Sequence, residues 1–170
     1  LITKGLETGK EYKIIVTVKD KAVSAKVERV PGPDLPKSIL DNGGIVGDMQ
    51  ERPWDATALL PWATKNNGVY TVEFEAKKSA VEWKVLGAKG AQANDYTNAY
   101  GGNAADKYGI KVGAAALPIY KKATGGGNLY TQGLMKGSKY IITVEVKGDQ
   151  VLAAVKKVPG KALAKDLLKE

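Results

Sequence analysis

The chain has 170 residues and contains neither cysteine nor histidine, which excludes disulfides and thiolate metal sites and removes the imidazole on which most general-base arrangements depend. Its formal net charge of +8 is spread over lysines scattered through the sequence, with only two arginines (Arg29 and Arg52), so the charge does not indicate a nucleic-acid partner. The apolar runs are too short for a membrane span, and we expect a non-catalytic protein that holds no metal and no cofactor.

The first element of the chain belongs to a sequence that occurs twice. Residues 5–19 (GLETGKEYKIIVTVK) return as residues 133–147 (GLMKGSKYIITVEVK), and the match continues without a gap to Gly32 and Gly160. The offset is 128 residues throughout, the difference between 133 and 5. Alternating apolar positions and a closing Pro-Gly predict a β-hairpin in each copy. So long a period indicates a duplicated domain, because solenoid repeats are about 20–50 residues long.

The duplication predicts how the chain is divided. Residues 1–32 are expected to be the terminal hairpin of a preceding repeat, and residues 37–160 a complete module. The break falls in residues 31–36 (PGPDLP), whose prolines cannot continue a ladder. Alternatively, residues 1–32 are an extra hairpin of the same domain, because an isolated hairpin is marginal in water. Residues 161–170 predict a short C-terminal helix or a linker.

Alternation with a period of two dominates the rest of the chain. Segments 69–76, 81–85, 140–146 and 151–155 alternate apolar and polar residues, with no long helical stretch between them. They predict an all-β, antiparallel, immunoglobulin-like β-sandwich. Trp83 alternates with valines and is predicted to lie in the core, with its neighbour Lys84 facing outward. Residues 87–127, rich in glycine and tyrosine, predict a long ordered loop.

Several motifs, in this order, resemble those of a known family. Residues 47–55 (GDMQERPWD) look like the opening of starch-binding β-sandwich modules, and residues 68–74 (GVYTVEF) with 81–85 (VEWKV) are similar to a strand pair of those modules. Residues 96–102 (YTNAYGG), 127–129 (GNL) and 137–144 (GSKYIITV) resemble the later half. The family is that of the SusE/SusF-like surface glycan-binding lipoproteins, and the resemblance covers roughly residues 43–155. The chain departs from the family at Arg52-Pro53, where Asn-Gly is more frequent, and at Tyr96, where tryptophan is common.

The resemblance implies a tandem, outer-membrane lipoprotein that binds a polysaccharide, and the residues offer a matching site. A sugar binder needs an exposed flat aromatic side chain with short polar groups at the edge of the sugar ring. The side chains that fit are four aromatics, two asparagines and one lysine implied by the resemblance: Trp54, Trp62, Tyr96, Tyr100, Asn98, Asn103 and Lys84. The alternative is structural: tryptophans that plug the end of the sandwich, tyrosines that pin a loop to the sheet, and a solvated lysine.

Two hypotheses follow. The first is a non-catalytic carbohydrate-binding module of an extracellular or cell-surface protein, starch-binding-like, which stacks aromatic rings on a polysaccharide or oligosaccharide such as an α-glucan. The second is a structural spacer or an adhesin-type protein-binding module without a sugar site. The exposure of the four aromatic side chains distinguishes the two. Exposed, roughly coplanar rings on one surface favour sugar binding, and buried rings favour the spacer.

Overall fold

The computed structural model describes residues 3, 6, 10–102, 108–122 and 127–160. Within these ranges the secondary structure is entirely β, and no helix is present that is long and apolar enough to cross a membrane. The predicted all-β class is confirmed. The proposed helix or linker at 161–170 lies outside the described residues.

Thirteen strands are present in the described part of the chain. They are β1 (Tyr12–Lys19), β2 (Ala22–Arg29), β3 (Gly44–Gly47), β4 (Leu60–Pro61), β5 (Thr64–Asn66), β6 (Val69–Glu75), β7 (Ala80–Leu86), β8 (Ala99–Gly101), β9 (Tyr108–Gly109), β10 (Leu117–Lys122), β11 (Leu129–Gln132), β12 (Lys139–Lys147) and β13 (Gln150–Lys157). All but β1 and β2 belong to one sheet, in the order β4-β3-β7-β8-β10-β13-β12-β6-β5, and β11 joins β7 to β9. Its ladders are antiparallel, apart from the two-residue β9–β11 pair.

Strand β10 connects the two halves of this sheet. Its first half, Leu117 to Ile119, pairs with β13, and its second half, Tyr120 to Lys122, pairs with β8. Residues from both sides of β10, among them Trp83 of β7 and Ile142 of β12, belong to one buried cluster. The sheet therefore curls around a single core.

The core follows the alternation of the sequence. Tyr70, Val72 and Phe74 of β6 are buried and alternate with more exposed neighbours, and β12 repeats the pattern over its whole length. Trp83 is fully buried, as predicted, and its indole N–H donates to the Thr131 hydroxyl at 3.0 Å. Opposite Trp83 lies Gly47, where a Cβ atom would sit 2.3 Å from a carbonyl oxygen of β7, so this position has no room for a side chain.

The predicted long loop at 87–127 is not a loop throughout. Strands β8, β9 and β10 lie within it, and Tyr100 is buried in β8. Strands of two or three residues are too short to show alternation, and β10 contains a proline, which weakens a strand signal in sequence. The interpretation of this segment as one functional loop is therefore corrected.

Strands β1 and β2 form a separate two-stranded antiparallel hairpin. Among the described residues they make no ladder with the larger sheet. Arg29, at the end of β2, pairs with Asp149 in the turn between β12 and β13.

Candidate functional site

The predicted site residues that approach one another lie on the outer face of β7. Trp83 and its alternate neighbours face the main core, so Lys84 and Leu86 face the opposite side. Segments 48–59 and 88–98 cover this outer face. Between them and the strands lies a second buried cluster of Ala56 with Val46, Leu86 and Ala99 of β3, β7 and β8. Trp54, Leu59 and Tyr96 pack against it.

Trp54 and Tyr96 meet at the edge of this cluster. Their ring centroids are 6.4 Å apart and their planes are 83° apart, an edge-to-face contact. The Trp54 indole N–H donates to Asp48 Oδ1 at 3.0 Å, and the Tyr96 hydroxyl donates to the Trp54 carbonyl oxygen at 2.5 Å. Both rings are half-buried. The two rings pin the two covering segments to each other, and they do not form a flat platform.

Trp54 also has an unusual backbone. Its φ of 63° lies in the left-handed region that bulky residues avoid. Residues held in such conformations cost about 1–3 kcal/mol and are concentrated at functional or tightly constrained sites. The contacts of the indole with Asp48 and Tyr96 provide the constraint here.

Lys84 is buried, although it was predicted to face outward into solvent. Its Nζ lies 5.6 Å from the centroid of the Tyr96 ring, a cation–π contact. The alternation of β7 correctly gave the face on which Lys84 lies. The covering segments, which sequence reasoning did not place, make that face a second interior. Burial, and then the nearby Asp55 charge, raise the pKa of the Tyr96 hydroxyl above its usual value.

Two carboxylates organise the covering segments. Asp48 Oδ2 accepts the Glu82 backbone N–H at 3.1 Å, in addition to the Trp54 contact. Asp55 accepts both the hydroxyl and the backbone N–H of Thr57, and these hydrogen bonds, followed by the Arg52 charge, lower the pKa of its carboxyl. Both carboxylates therefore serve the local structure.

Trp62 and Tyr100 belong to the main core. The Trp62 indole N–H donates to the Leu40 carbonyl oxygen at 2.7 Å, and its ring contacts Tyr70 with centroids 5.1 Å apart. Burial raises the pKa of the Tyr100 hydroxyl. Both side chains are buried, at 7 and 4% exposed, whereas Trp54 and Tyr96 are half-buried, so the structure separates the two pairs.

Of the two predicted asparagines, one lies among the described residues. Asn98 is exposed two residues after Tyr96, and its carbonyl oxygen accepts the Gly87 N–H at 2.9 Å. Asn103 lies outside the described residues. Within the described ranges, no group of three or more acidic residues is placed to hold a metal ion.

Polar residues that were not predicted as part of the site are linked to Trp54 by hydrogen bonds through Asp48. Asn128 Nδ2 donates to Glu82 Oε2 at 2.8 Å, and Asp48 contacts the backbone of the same glutamate. Glu82 is two residues from Lys84 on the same strand, so the period-two rule could have placed both on one face. Asp48 lies inside the GDMQERPWD motif, but only its tryptophan was singled out.

A cleft of about 560 Å³ lies where the hairpin meets the sheet. Its polar lining includes Lys10 and Arg29 on the hairpin side. On the sheet side it includes Tyr100, Tyr120, Lys121, Asp149 and Gln150. Arg29 and Asp149 bond to each other across it, so the cleft is part of the junction between the two units.

No protein-family model matches the chain, and no curated protein or solved structure matches it either.

Proposed function

We propose that this chain is a non-catalytic spacer module of a tandem-repeat protein at the cell surface or outside the cell, in which a hairpin of one repeat is fixed to the next repeat. In this proposal the curled sheet is an immunoglobulin-like sandwich. Strands β4, β3, β7, β8 and β11 form one layer, β5, β6, β12 and β13 form the other, and β10 crosses between them.

The observation that carries the proposal is the junction around Asp149. Arg29 donates to both of its carboxylate oxygens, one at 3.1 Å, and Gly32 N–H donates to Oδ2 at 2.7 Å. The guanidinium and this amide lower the pKa of Asp149 to about 2. A bidentate arginine–carboxylate pair fixes direction as well as distance, so it supports a joint of defined geometry.

The linker between hairpin and sheet follows the same turn. Leu35 N–H donates to the Gly148 carbonyl oxygen at 2.8 Å, and the Lys37 ammonium donates to the Val146 carbonyl oxygen. Prolines at 31, 33 and 36 remove backbone freedom from this segment. A stiff linker that is hydrogen-bonded to the next unit is what a spacer requires.

Amide hydrogen exchange tests this proposal. We expect the Gly32 and Leu35 amides to be protected in the wild type, and the Gly32 amide to lose protection in Asp149→Asn while the β12–β13 ladder keeps its own. Asp20→Asn, in the turn of the hairpin, is the matched control and should change neither amide. Fast exchange of both amides in the wild type would show that the joint is open and would contradict the spacer.

The second candidate is the carbohydrate-binding module, and the corner formed by Trp54, Tyr96 and Lys84 favours it. Two half-exposed aromatic rings, a lysine beneath one of them and the exposed Asn98 nearby are suitable groups for a sugar edge. The strained backbone of Trp54 adds support. A SusE/SusF-like lipoprotein of the outer membrane that binds an α-glucan belongs to this candidate.

Affinity electrophoresis distinguishes the two candidates. The wild type is run through gels cast with starch, other α-glucans, xylan, β-glucan or no polysaccharide. Retardation by one glycan, lost in Trp54→Phe but kept in Tyr12→Phe on the separate hairpin, would establish the sugar site at this corner. Equal mobility in every gel is the result that the spacer predicts.

A further inference from the structure

The hairpin of β1 and β2 exposes a continuous apolar face. Ile14, Val16, Val18 and Val23 are 70, 60, 69 and 69% exposed. Their counterparts 128 positions later, Ile142, Val144, Val146 and Val151, are 0, 0, 0 and 2% exposed. The same side chains thus form a surface in one copy and the centre of the core in the other.

The two copies are identical at the buried positions of one face and differ at most positions of the other. Seven aligned pairs whose second member is buried in the core are identical: Tyr12/Tyr140, Ile14/Ile142, Val16/Val144, Val18/Val146, Val23/Val151, Ala25/Ala153 and Val27/Val155. Six pairs on the opposite face differ: Lys13/Ile141, Ile15/Thr143, Thr17/Glu145, Ser24/Leu152, Lys26/Ala154 and Glu28/Lys156. Lys19/Lys147, at the end of the same face, is identical. Close packing constrains side-chain volume, so identity concentrated on the inward face indicates that the inward faces of both hairpins fit the same surroundings.

The backbones of the two hairpins also agree. Tyr12 pairs with Arg29 as Tyr140 pairs with Lys157, and both ladders end at the same relative position before the turn. The closing hydrogen bonds are equivalent too, because Val30 N–H donates to Glu11 O and Val158 N–H donates to Lys139 O, both at 2.9 Å. The exposed hairpin already has the shape of the buried one.

We propose that the exposed face of the β1–β2 hairpin is the docking surface for the body of another module of this kind, equivalent to residues 37–132, whose β6-like strand pairs with β1. The register is given by the buried copy, in which Tyr140, Ile142 and Val144 lie opposite Phe74, Val72 and Tyr70 of β6. Tyr12, Ile14 and Val16 then meet the same three residue types. This inference rests on the tandem arrangement of the proposed function and adds the surface through which a neighbouring repeat is completed.

Thiol labelling of a joined chain tests this surface. Because the sequence contains no cysteine, the label reacts only with the introduced thiol. A second copy of residues 37–132 is joined directly to Gly5 of the chain. The β1–β2 hairpin can then pair with this added body as β12 and β13 pair with the original one. Val16→Cys is then labelled with a maleimide in the original and in the joined chain. We expect labelling to become slower by on the order of 100-fold in the joined chain, while Thr17→Cys on the opposite face reacts equally fast in both.

A matched joined chain carries residues 133–160 in place of 5–32 and a cysteine at Val144 of that inserted copy. The inference would be overturned if this cysteine is protected while Val16→Cys in the first joined chain still reacts as fast as Thr17→Cys. Concentration-dependent protection of Val16→Cys in the original chain would overturn it as well, because two copies would then cover each other. Fast exchange of the Gly32 and Leu35 amides would refute the spacer and would not change the labelling of Val16→Cys in the joined chain. The failure of one proposal can therefore be distinguished from the failure of the other.

Discussion

Replacing Asp149 with asparagine removes the charge that joins the hairpin to the sheet. The pKa of Asp149 is lowered from its ordinary 3.8 to about 2. That difference of about 1.8 pH units, at about 1.36 kcal/mol per unit, sets an upper limit of about 2.4 kcal/mol on the stabilisation. The side chains of Arg29 and Asp149 are 18 and 11% exposed, so solvent screens the pair in part. We expect Asp149→Asn to lower the free energy of unfolding by about 1–2 kcal/mol at pH 7.

The pH dependence follows from the direction of the shift. The folded-state pKa is the lower one, so the stabilisation is complete above the unfolded-state pKa of about 4 and is lost as the pH falls towards 2. Wild type and Asp149→Asn should therefore differ at pH 7 and converge near pH 2. Urea unfolding followed by tryptophan fluorescence is a suitable assay, because all three tryptophans lie in the large sheet or its covering segments.

A double-mutant cycle with Arg29→Met isolates the pair, and Asp20→Asn serves as the control. A coupling energy below about 0.3 kcal/mol, within the error of additivity, would refute the reasoning. So would a difference between wild type and Asp149→Asn that persists unchanged at pH 2.

Three further predictions concern the core and the hairpin. Thr131→Val leaves the buried indole N–H of Trp83 without its acceptor and should cost about 1–3 kcal/mol of unfolding free energy, whereas Thr131→Ser retains the hydroxyl; equal losses would contradict the hydrogen bond. Gly47→Ala forces a Cβ to within 2.3 Å of a β7 carbonyl oxygen and should cost about 1–3 kcal/mol or more in chemical denaturation; unchanged stability would show that the strands separate easily. Val16→Lys should leave the unfolding of the sheet unchanged and reduce the binding of a hydrophobic dye. Val144→Lys should prevent folding, which circular dichroism would detect. Similar behaviour of the two variants would contradict the difference in burial.

Sequence reasoning identified the long strands because their alternation survives in the fold. Tyr70, Val72 and Phe74 lie inward as expected, and Tyr140 to Val146 repeat the pattern. The short strands were missed, since β3, β4, β5, β8 and β9 have two to four residues each and give no readable period. Turns and pairings at that length are decided by tertiary packing.

The candidate site was harder to predict than the fold. Alternation gave the face on which Lys84 lies, but burial of that face depends on segments 48–59 and 88–98, whose path is set by contacts such as Tyr96 to the Trp54 carbonyl. Trp62 and Tyr100 are core residues because of partners on other elements of the fold, Leu40 and Tyr70 among those of Trp62. Composition and local motifs carry no information on such partners.

A distance measurement across the junction tests the central claim most directly. Spin labels are placed on exposed positions of the hairpin and the sheet, with Thr17→Cys and Glu73→Cys in one chain, and their separation is measured by pulsed electron paramagnetic resonance. A second pair on strands farther apart in the sheet, Glu73→Cys of β6 with Lys121→Cys of β10, gives the width expected for a rigid body. A spacer with a fixed joint predicts a distribution across the junction as narrow as that of the second pair, and broader in Asp149→Asn. A broad distribution in the wild type, unchanged by Asp149→Asn, would contradict it.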